Sequence, residues 1–391
     1  MNQNGQPDLM TSLRALPKAA WFVFIGTFIN RMGTLVMPFI TIYLTRHDFT
    51  VSEAGWALMA YGVGNLAATL IGGHLADSIG RKNTMLISLF STSVVMCILP
   101  HAETVLWIYT LMFLTGLTGE IYRPAVNALI ADIVPEEHRL TAYAANRTFL
   151  NAGFAFGPSL GGFMAKYSWA LLFYADALTT TIYAVIALFA LPNGRRSNGN
   201  NGSHFDIWRE IVRNRPFLVF ALATFAVAVT FMQMNATFPL LVVDCGFEPW
   251  VFGIITSYNG LLVVLVELPL TSVTRKYRAR TVIIIGYLLI GIGMAMAAWS
   301  STIPMFFLVM TIFTLGEIIS MPMVPTYLAR VAPEDKRGRY MGVFGLTWAM
   351  ALLLGPKFGL AVYEVNPQMW WYLCGAFGVV AAVLMYFNRT R

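Results

Sequence analysis

Charge is scarce in this sequence: 12% of its 391 residues are Asp, Glu, Lys or Arg, against about 25% in a soluble domain. With 57% of the chain hydrophobic, there is too little polar surface to face water on all sides, and lipid is the solvent that remains. Cysteine is nearly absent. Cys97, Cys245 and Cys374 are odd in number and scattered among apolar neighbours, which argues against a disulfide framework and against zinc. The five histidines, His47, His74, His101, His138 and His204, sit at the ends of apolar runs or in loops. No cluster of His, Cys or carboxylates has metal or nucleotide-binding spacing, so neither an enzyme nor a cofactor is expected. The stretch up to Lys18 is polar and has no short apolar core ending in an A-x-A site, so no cleaved signal peptide is read.

What the chain has instead is a succession of apolar runs, each long enough for the roughly 20 residues that cross a bilayer. They fall at about 19–45, 52–75, 84–100, 105–131, 141–165 and 169–191, and again at about 216–243, 250–273, 281–300, 304–330, 339–362 and 369–388. These twelve predicted spans are numbered one to twelve. Between the sixth and seventh, Pro192 to Arg215 is polar and Gly-rich and reads as a flexible linker, with a weak amphipathic signal at Ile207 to Val212. The expected domains are a six-helix bundle over 1–191, a linker over 192–215 and a second six-helix bundle over 216–391. Of the 26 Lys and Arg residues, twenty lie in one set of loops and termini and only Arg46 and Lys166 in the other. The positive-inside rule then places both termini in the cytoplasm and accounts for the basic balance without nucleic acid.

The halves repeat. Pro135, Glu136 and Arg139 answer to Pro333, Glu334 and Arg337 at an offset of 198 residues, and Gly157-Pro158 and Gly161 answer to Gly355-Pro356 and Gly359. Pro124 pairs with Pro322 in the same register. An even number of spans per copy makes both copies enter the membrane from the same side, and two such halves can rock about a site between them.

Between spans two and three lies Gly73-His74-Leu75-Ala76-Asp77-Ser78-Ile79-Gly80-Arg81-Lys82. This resembles the loop signature G-x-L-A-D-x-x-G-R-K of the major facilitator superfamily at every fixed position, and the resemblance extends to the span count, the repeat and the linker. It implies an all-α integral membrane fold of twelve helices in two pseudo-symmetric bundles. Gly73 is small enough to let two helices approach closely. By the resemblance, Asp77, Gly80 and Arg81 form a cytoplasmic latch in which Arg81 reaches Asp132, with Glu136 and Arg139 extending the network; the plainer alternative is that Arg81 and Lys82 are ordinary positive-inside anchors. Span five carries Gly153-Phe154-Ala155-Phe156-Gly157-Pro158-Ser159-Leu160-Gly161-Gly162, which resembles the signature G-x-x-x-G-P-x-x-G-G of the superfamily's drug:proton antiporter branch. Gly153, Gly157 and Gly161 give the helix one smooth face and Pro158 bends it. The same residues satisfy G-x-S-x-G, but a hydrolase elbow needs a strand-to-helix turn and a His partner. Span four departs from the branch: its arginine would fall near Met112 and is absent.

Ionisable groups inside spans are costly and mark function. Glu120 on span four, Glu317 on span ten and Glu267 on span eight are the proton-coupling candidates. Asn30 and Arg31 on span one, Arg123, Arg147, Gln233 and Asn235 are the substrate-cavity candidates. Four have a bland alternative: Glu120 with Arg123 is also a static i,i+3 pair, Arg147 also satisfies Glu120 or span-four carbonyls, and Glu267 also fits a closure network. Asp176 and Lys357 lie toward outer span ends, suited to external gating or snorkelling. A carboxylate whose surroundings alternate between apolar and cationic takes up and releases a proton. The reading is a proton-coupled efflux antiporter for amphipathic organic compounds or drugs, in a bacterial inner membrane, without metal or cofactor beyond the proton and sufficient as a monomer. The alternatives are a proton symporter importing a peptide, sugar or organic acid, which Arg31 and Arg147 would suit by binding an anionic group, and a non-transporting receptor or scaffold.

Overall fold

The computed structural model describes residues 9–193, 213–333 and 337–388, without the side chains of residues 9, 10, 140 and 337–339. The amphipathic stretch expected at 207–212, most of the linker, and Glu334 lie outside the described residues. The described segments that the hydropathy pattern assigns to spans are helical apart from short breaks in spans one, seven and ten, and no strand occurs among the described residues. Helix is what lipid demands, because only intra-segment hydrogen bonds satisfy a backbone that water cannot reach.

Span one is Lys18–Met32, then a 3-10 turn Met37–Phe39 and Ile40–Thr45. Spans two to six are Val51–Ser78, Arg81–Ile98, Val105–Ile133, Glu136–Tyr167 and Trp169–Ala190. Span seven is Arg215–Ala236 with Phe238–Asp244, and spans eight and nine are Pro249–Thr274 and Ala279–Met296. Span ten is Ile303–Ser320 with Met323–Val331, followed by Arg337–Val365 and Pro367–Phe387. Eleven of these are apolar and long enough to cross a membrane. The remaining one, span five, has 32 residues and ample length; its glycines, Asn151, Pro158 and Ser159 dilute its apolarity.

Side chains fix several helix starts. The Asn214 carboxamide accepts from the Phe217 N–H at 3.1 Å, and Asn366 accepts from Met369 at 3.0 Å, each satisfying a donor that the first turn leaves orphaned. Gly80 starts span three at φ 96°, a left-handed backbone that glycine adopts without strain. The repeat partners Pro124 and Pro322 behave differently. Pro124 lies inside an unbroken helix, whereas span ten is interrupted at Met321-Pro322.

The chain forms two compact units, Met1–Met37 with Val63–Asn200 and Pro38–Gly62 with Asn201–Arg391. In the first, span five packs on span one and spans four and six pack on span three. In the second, span eleven packs on span seven and spans ten and twelve pack on span nine, the same pairings as duplication requires. Phe24, Leu89, Tyr122, Leu129 and Tyr183 lie in the core of the first unit.

Small residues set the closest approaches, and here the reading of Gly73 is corrected. A Cβ at Gly73 would meet nothing within 4 Å. The close contact of span two with span four is made by neighbours on another face: a Cβ at Gly64 would lie 2.7 Å from the Leu117 nitrogen, and one at Gly72 would lie 3.1 Å from the Ile121 carbonyl oxygen. Sequence spacing gives the small residue but not the rotation of its helix. Gly64→Val should therefore lower stability by about 1–3 kcal/mol, the range for overpacking, while Gly73→Ala should match or exceed the parent; melting of the two purified variants in detergent checks both.

Candidate functional site

In the first unit the charged side chains of spans one and four meet inside the helices. Glu120 has a side-chain exposure of 12% and lies between two guanidinium groups. Its Oε2 accepts from Arg123 Nη1 at 2.8 Å, and its Oε1 is 3.8 Å from Arg31 Nη2. The i,i+3 pair read from sequence is therefore one link of a longer chain. Arg31 is buried, with its guanidinium carbon 5.8 Å from the Tyr122 ring centre and 5.5 Å from that of Phe154, distances at which a cation is attracted by an aromatic face. Arg123 keeps 55% of its side chain exposed.

The neighbour of Arg31 is spent on structure. Asn30, read as a substrate-cavity residue, donates through Nδ2 to Thr180 Oγ1 at 3.1 Å and accepts at Oδ1 from the Tyr122 hydroxyl at 3.2 Å, so both ends of its amide are engaged. Just beyond, span one breaks, and Asp176 closes the break: its Oδ2 accepts from the Leu35 N–H at 3.1 Å and the Val36 N–H at 3.4 Å. Asp176 is 6% exposed, which rules out snorkelling and makes it an internal cap on two backbone donors.

The span-five signature packs directly behind Arg31. A Cβ at Gly153 would fall 2.8 Å from the Phe28 carbonyl oxygen and 2.9 Å from the Met32 nitrogen; at Gly157 it would fall 3.0 Å from the Met32 carbonyl oxygen. Pro158 remains inside the helix. In the second unit, Gly355, 198 positions after Gly157, faces Val229 and Met232 at 3.5 Å. Val229 is itself 198 positions after Arg31, so the register of the repeat is kept while the charge is not.

At the end of span two, Arg81 gathers the loop. Its Nη1 donates to Asp77 Oδ1 at 2.6 Å and to the Ala76 carbonyl at 2.7 Å, and its Nε lies 3.5 Å from Asp132 Oδ2. The guanidinium is buried, which sets it apart from a solvated surface anchor. Arg139 donates from Nε to the Val134 carbonyl at 3.3 Å, closing the turn between spans four and five, and Glu136 is exposed at the start of span five.

In the second unit Glu317 accepts at Oε2 from Asn259 Nδ2 at 3.1 Å, and the same amide donates to Thr314 Oγ1 at 2.8 Å. Asn259 escaped the sequence reading, although a carboxamide inside an apolar run carries the same signal of cost as a charge. Gln233, expected to supply the cavity, is fully buried; Nε2 donates to the carbonyls of Val229 at 2.8 Å and Gly355 at 3.1 Å, and Oε1 accepts from Thr237 at 3.3 Å. It ties span seven to span eleven and has nothing left to offer a ligand. Asn235 and, in the first unit, Arg147 are exposed, while Glu267 is half-buried. Lys357 donates from Nζ to Ser52 Oγ at 2.8 Å and lies 4.7 Å from the Trp56 ring centre. Beside it is a cavity of about 600 Å³ lined by Trp56, Met59, Phe225, Val229 and Phe358, a surface suited to an apolar body.

The profile of the Major Facilitator Superfamily matches residues 23–266 and 238–391. Among curated proteins, the chain is 26% identical over 372 residues to a Na(+), Li(+), K(+)/H(+) antiporter of Planococcus maritimus, covering 84% of this chain and 85% of that one. It is 23% identical over 401 residues to the multidrug resistance protein MdtH of Proteus mirabilis, covering 98% of each. Among solved structures, a mutant of the nucleoside transporter NupG superposes with a TM-score of 0.80 at 14% identity, over 95% of this chain and 100% of that one, which bears on the fold alone.

The cap on span one gives a direct test. Asp176→Ala removes the acceptor of the Val36 N–H and one of the two acceptors of the Leu35 N–H and should cost about 1–3 kcal/mol, with Asp176→Asn, which keeps an acceptor, costing less. An Asp176→Ala protein that melts with the parent would show that the carboxylate caps nothing.

Proposed function

The chain belongs to the Major Facilitator Superfamily, and on that premise we propose that it is a proton-coupled exporter, moving an amphipathic organic compound outward in exchange for protons by alternating access. The observation that carries this reading is a carboxylate inside the spans of each repeat, held by partners that a helix movement can exchange. Glu120 lies between Arg31 and Arg123, and Glu317 lies beside the Asn259 amide. A carboxylate that trades a cationic partner for a neutral one changes its hold on a proton, which is the chemistry coupling needs. Glu267 is the third candidate. The span-five seam supports the antiport direction through its resemblance to the antiporter-branch signature; its glycines pack the helix against the Phe28–Met32 turn and Pro158 lets it bend. The names of two relatives, an ion/proton antiporter and a multidrug resistance protein, agree with it.

In this reading the protein sits in a bacterial inner membrane with both termini cytoplasmic, works as a monomer, and the Arg81 cluster with Asp77 and Asp132 holds the cytoplasmic side shut. A second reading, import of an organic acid with protons, draws on the excess of guanidinium over carboxylate around Glu120. Everted vesicles separate the two: substrate that dissipates a preformed pH gradient marks antiport, and uptake into right-side-out vesicles under an inward proton gradient marks symport. A receptor or scaffold would do neither.

Glu317→Gln should abolish substrate-driven proton movement in everted vesicles while the protein still reaches the membrane; full proton exchange by this variant would sink Glu317 as the coupling group. Asp77→Asn should loosen the latch, so that cysteines placed in the inner cavity are labelled faster by a soluble maleimide, and an unchanged rate would refute that role.

A further inference from the structure

Arg31 is buried to 8% exposure, and two of its donors, Nε and Nη2, are sealed from solvent without a hydrogen-bond acceptor. A guanidinium kept from water with donors unmade is costly, and side chains are seldom left so without a reason in function. The identity of the orphan atoms is informative. Nε and Nη2 are the side-on edge of the guanidinium, whose two parallel N–H groups match the two oxygens of a carboxylate. Glu120 does not fill that role, since its Oε1 stands 3.8 Å from Nη2, beyond hydrogen-bond reach, and its other oxygen is committed to Arg123 at 2.8 Å.

The surroundings specify the rest of a ligand. Arg31, Glu120 and Arg123 together carry one net positive charge. Phe154, 38% exposed, lies beside the guanidinium. We propose that the side-on edge of Arg31 is an anion subsite that takes the carboxylate of an aromatic organic acid, whose ring system lies against Phe154 and for which Glu120 is the resident competitor. Admission requires the Phe154 ring to turn aside, because the edge is shielded as it stands. The inference rests on the transport reading in taking the ligand to be cargo, and it names the cargo's chemical class without fixing the direction of transport.

The test uses the purified full-length protein and three probes with one aromatic body: 2-naphthoate, 2-naphthamide and 2-naphthylmethylammonium. Naphthoate should raise the melting temperature at millimolar concentration and the other two should not. Arg31→Gln should remove the shift, and Arg31→Lys, which keeps the charge and loses the fork, should weaken naphthoate by about tenfold, the low end for a lost charge-assisted pair. Glu120→Gln should move the other way and tighten naphthoate, because the competitor is gone; a merely damaged fold would not do this. Equal shifts from acid, amide and amine, no shift from naphthoate, parent-like binding by Arg31→Lys, or weaker binding by Glu120→Gln each overturns the subsite. Proton movement in everted vesicles is read separately. Naphthoate binding at Arg31 without proton movement on adding naphthoate defeats the transport reading and keeps the subsite, whereas proton exchange driven only by the amide or amine keeps the transport reading and defeats the subsite.

Discussion

Hydrocarbon offers no hydrogen bonds, so every polar group carried into the membrane must find its partner inside the protein. The architecture of this chain follows from that constraint. It makes the described spans helical, and it makes each interruption of a helix a local problem with a named solution. Span one leaves the helix at Gly33, and a carboxylate from span six accepts from the N–H groups of Leu35, which it shares with the Gly33 carbonyl, and Val36. Span seven breaks before Pro239, and Thr237 there accepts from the Trp370 indole at 3.1 Å while donating to Gln233. A broken helix in lipid is tolerated where side chains from its neighbours complete it.

The same accounting sorts the polar side chains by use. Asn30, Asp176 and Gln233 have their capacity taken up by helix-to-helix bonds; they hold each unit together and have little to give a ligand. Arg31 stands apart, with a buried edge that the protein does not satisfy. Its setting explains how such a residue is tolerated: two aromatic rings and a nearby carboxylate offset part of the cost of burying the charge, and the glycine seam of span five brings a second backbone within van der Waals reach of it. The seam and the arginine are one construction. Where the repeat places Val229 in the corresponding position, the seam persists and the cation does not.

A large part of this was legible in the sequence. The spans follow from runs of apolar residues, because the cost of exposing polar groups to lipid acts on each run by itself and does not depend on its neighbours. The pairing of Arg81 with Asp77 and Asp132 was implied by the resemblance of the loop to the superfamily's signature, and the structure places Arg81 2.6 Å from Asp77 and 3.5 Å from Asp132. The duplication was equally visible, since the helix pairings of one unit recur in the other. Sequence also singled out the spans that carry ionisable groups, for a charge in an apolar run is conspicuous wherever it points.

Which way each residue points was settled only by the tertiary structure. Gly73 and Gly72 are adjacent and alike in composition, yet one faces open space and the other a neighbouring backbone. Asn30 and Arg31 are adjacent and both polar, yet the first is engaged at both ends of its amide and the second keeps two donors without an acceptor. Glu317 found its partner in Asn259, fifty-eight positions away on another helix. Hydropathy is an average over a window and fixes where a helix lies; a hydrogen bond depends on helix rotation and on what the facing helix presents, and that is decided only when the helices pack.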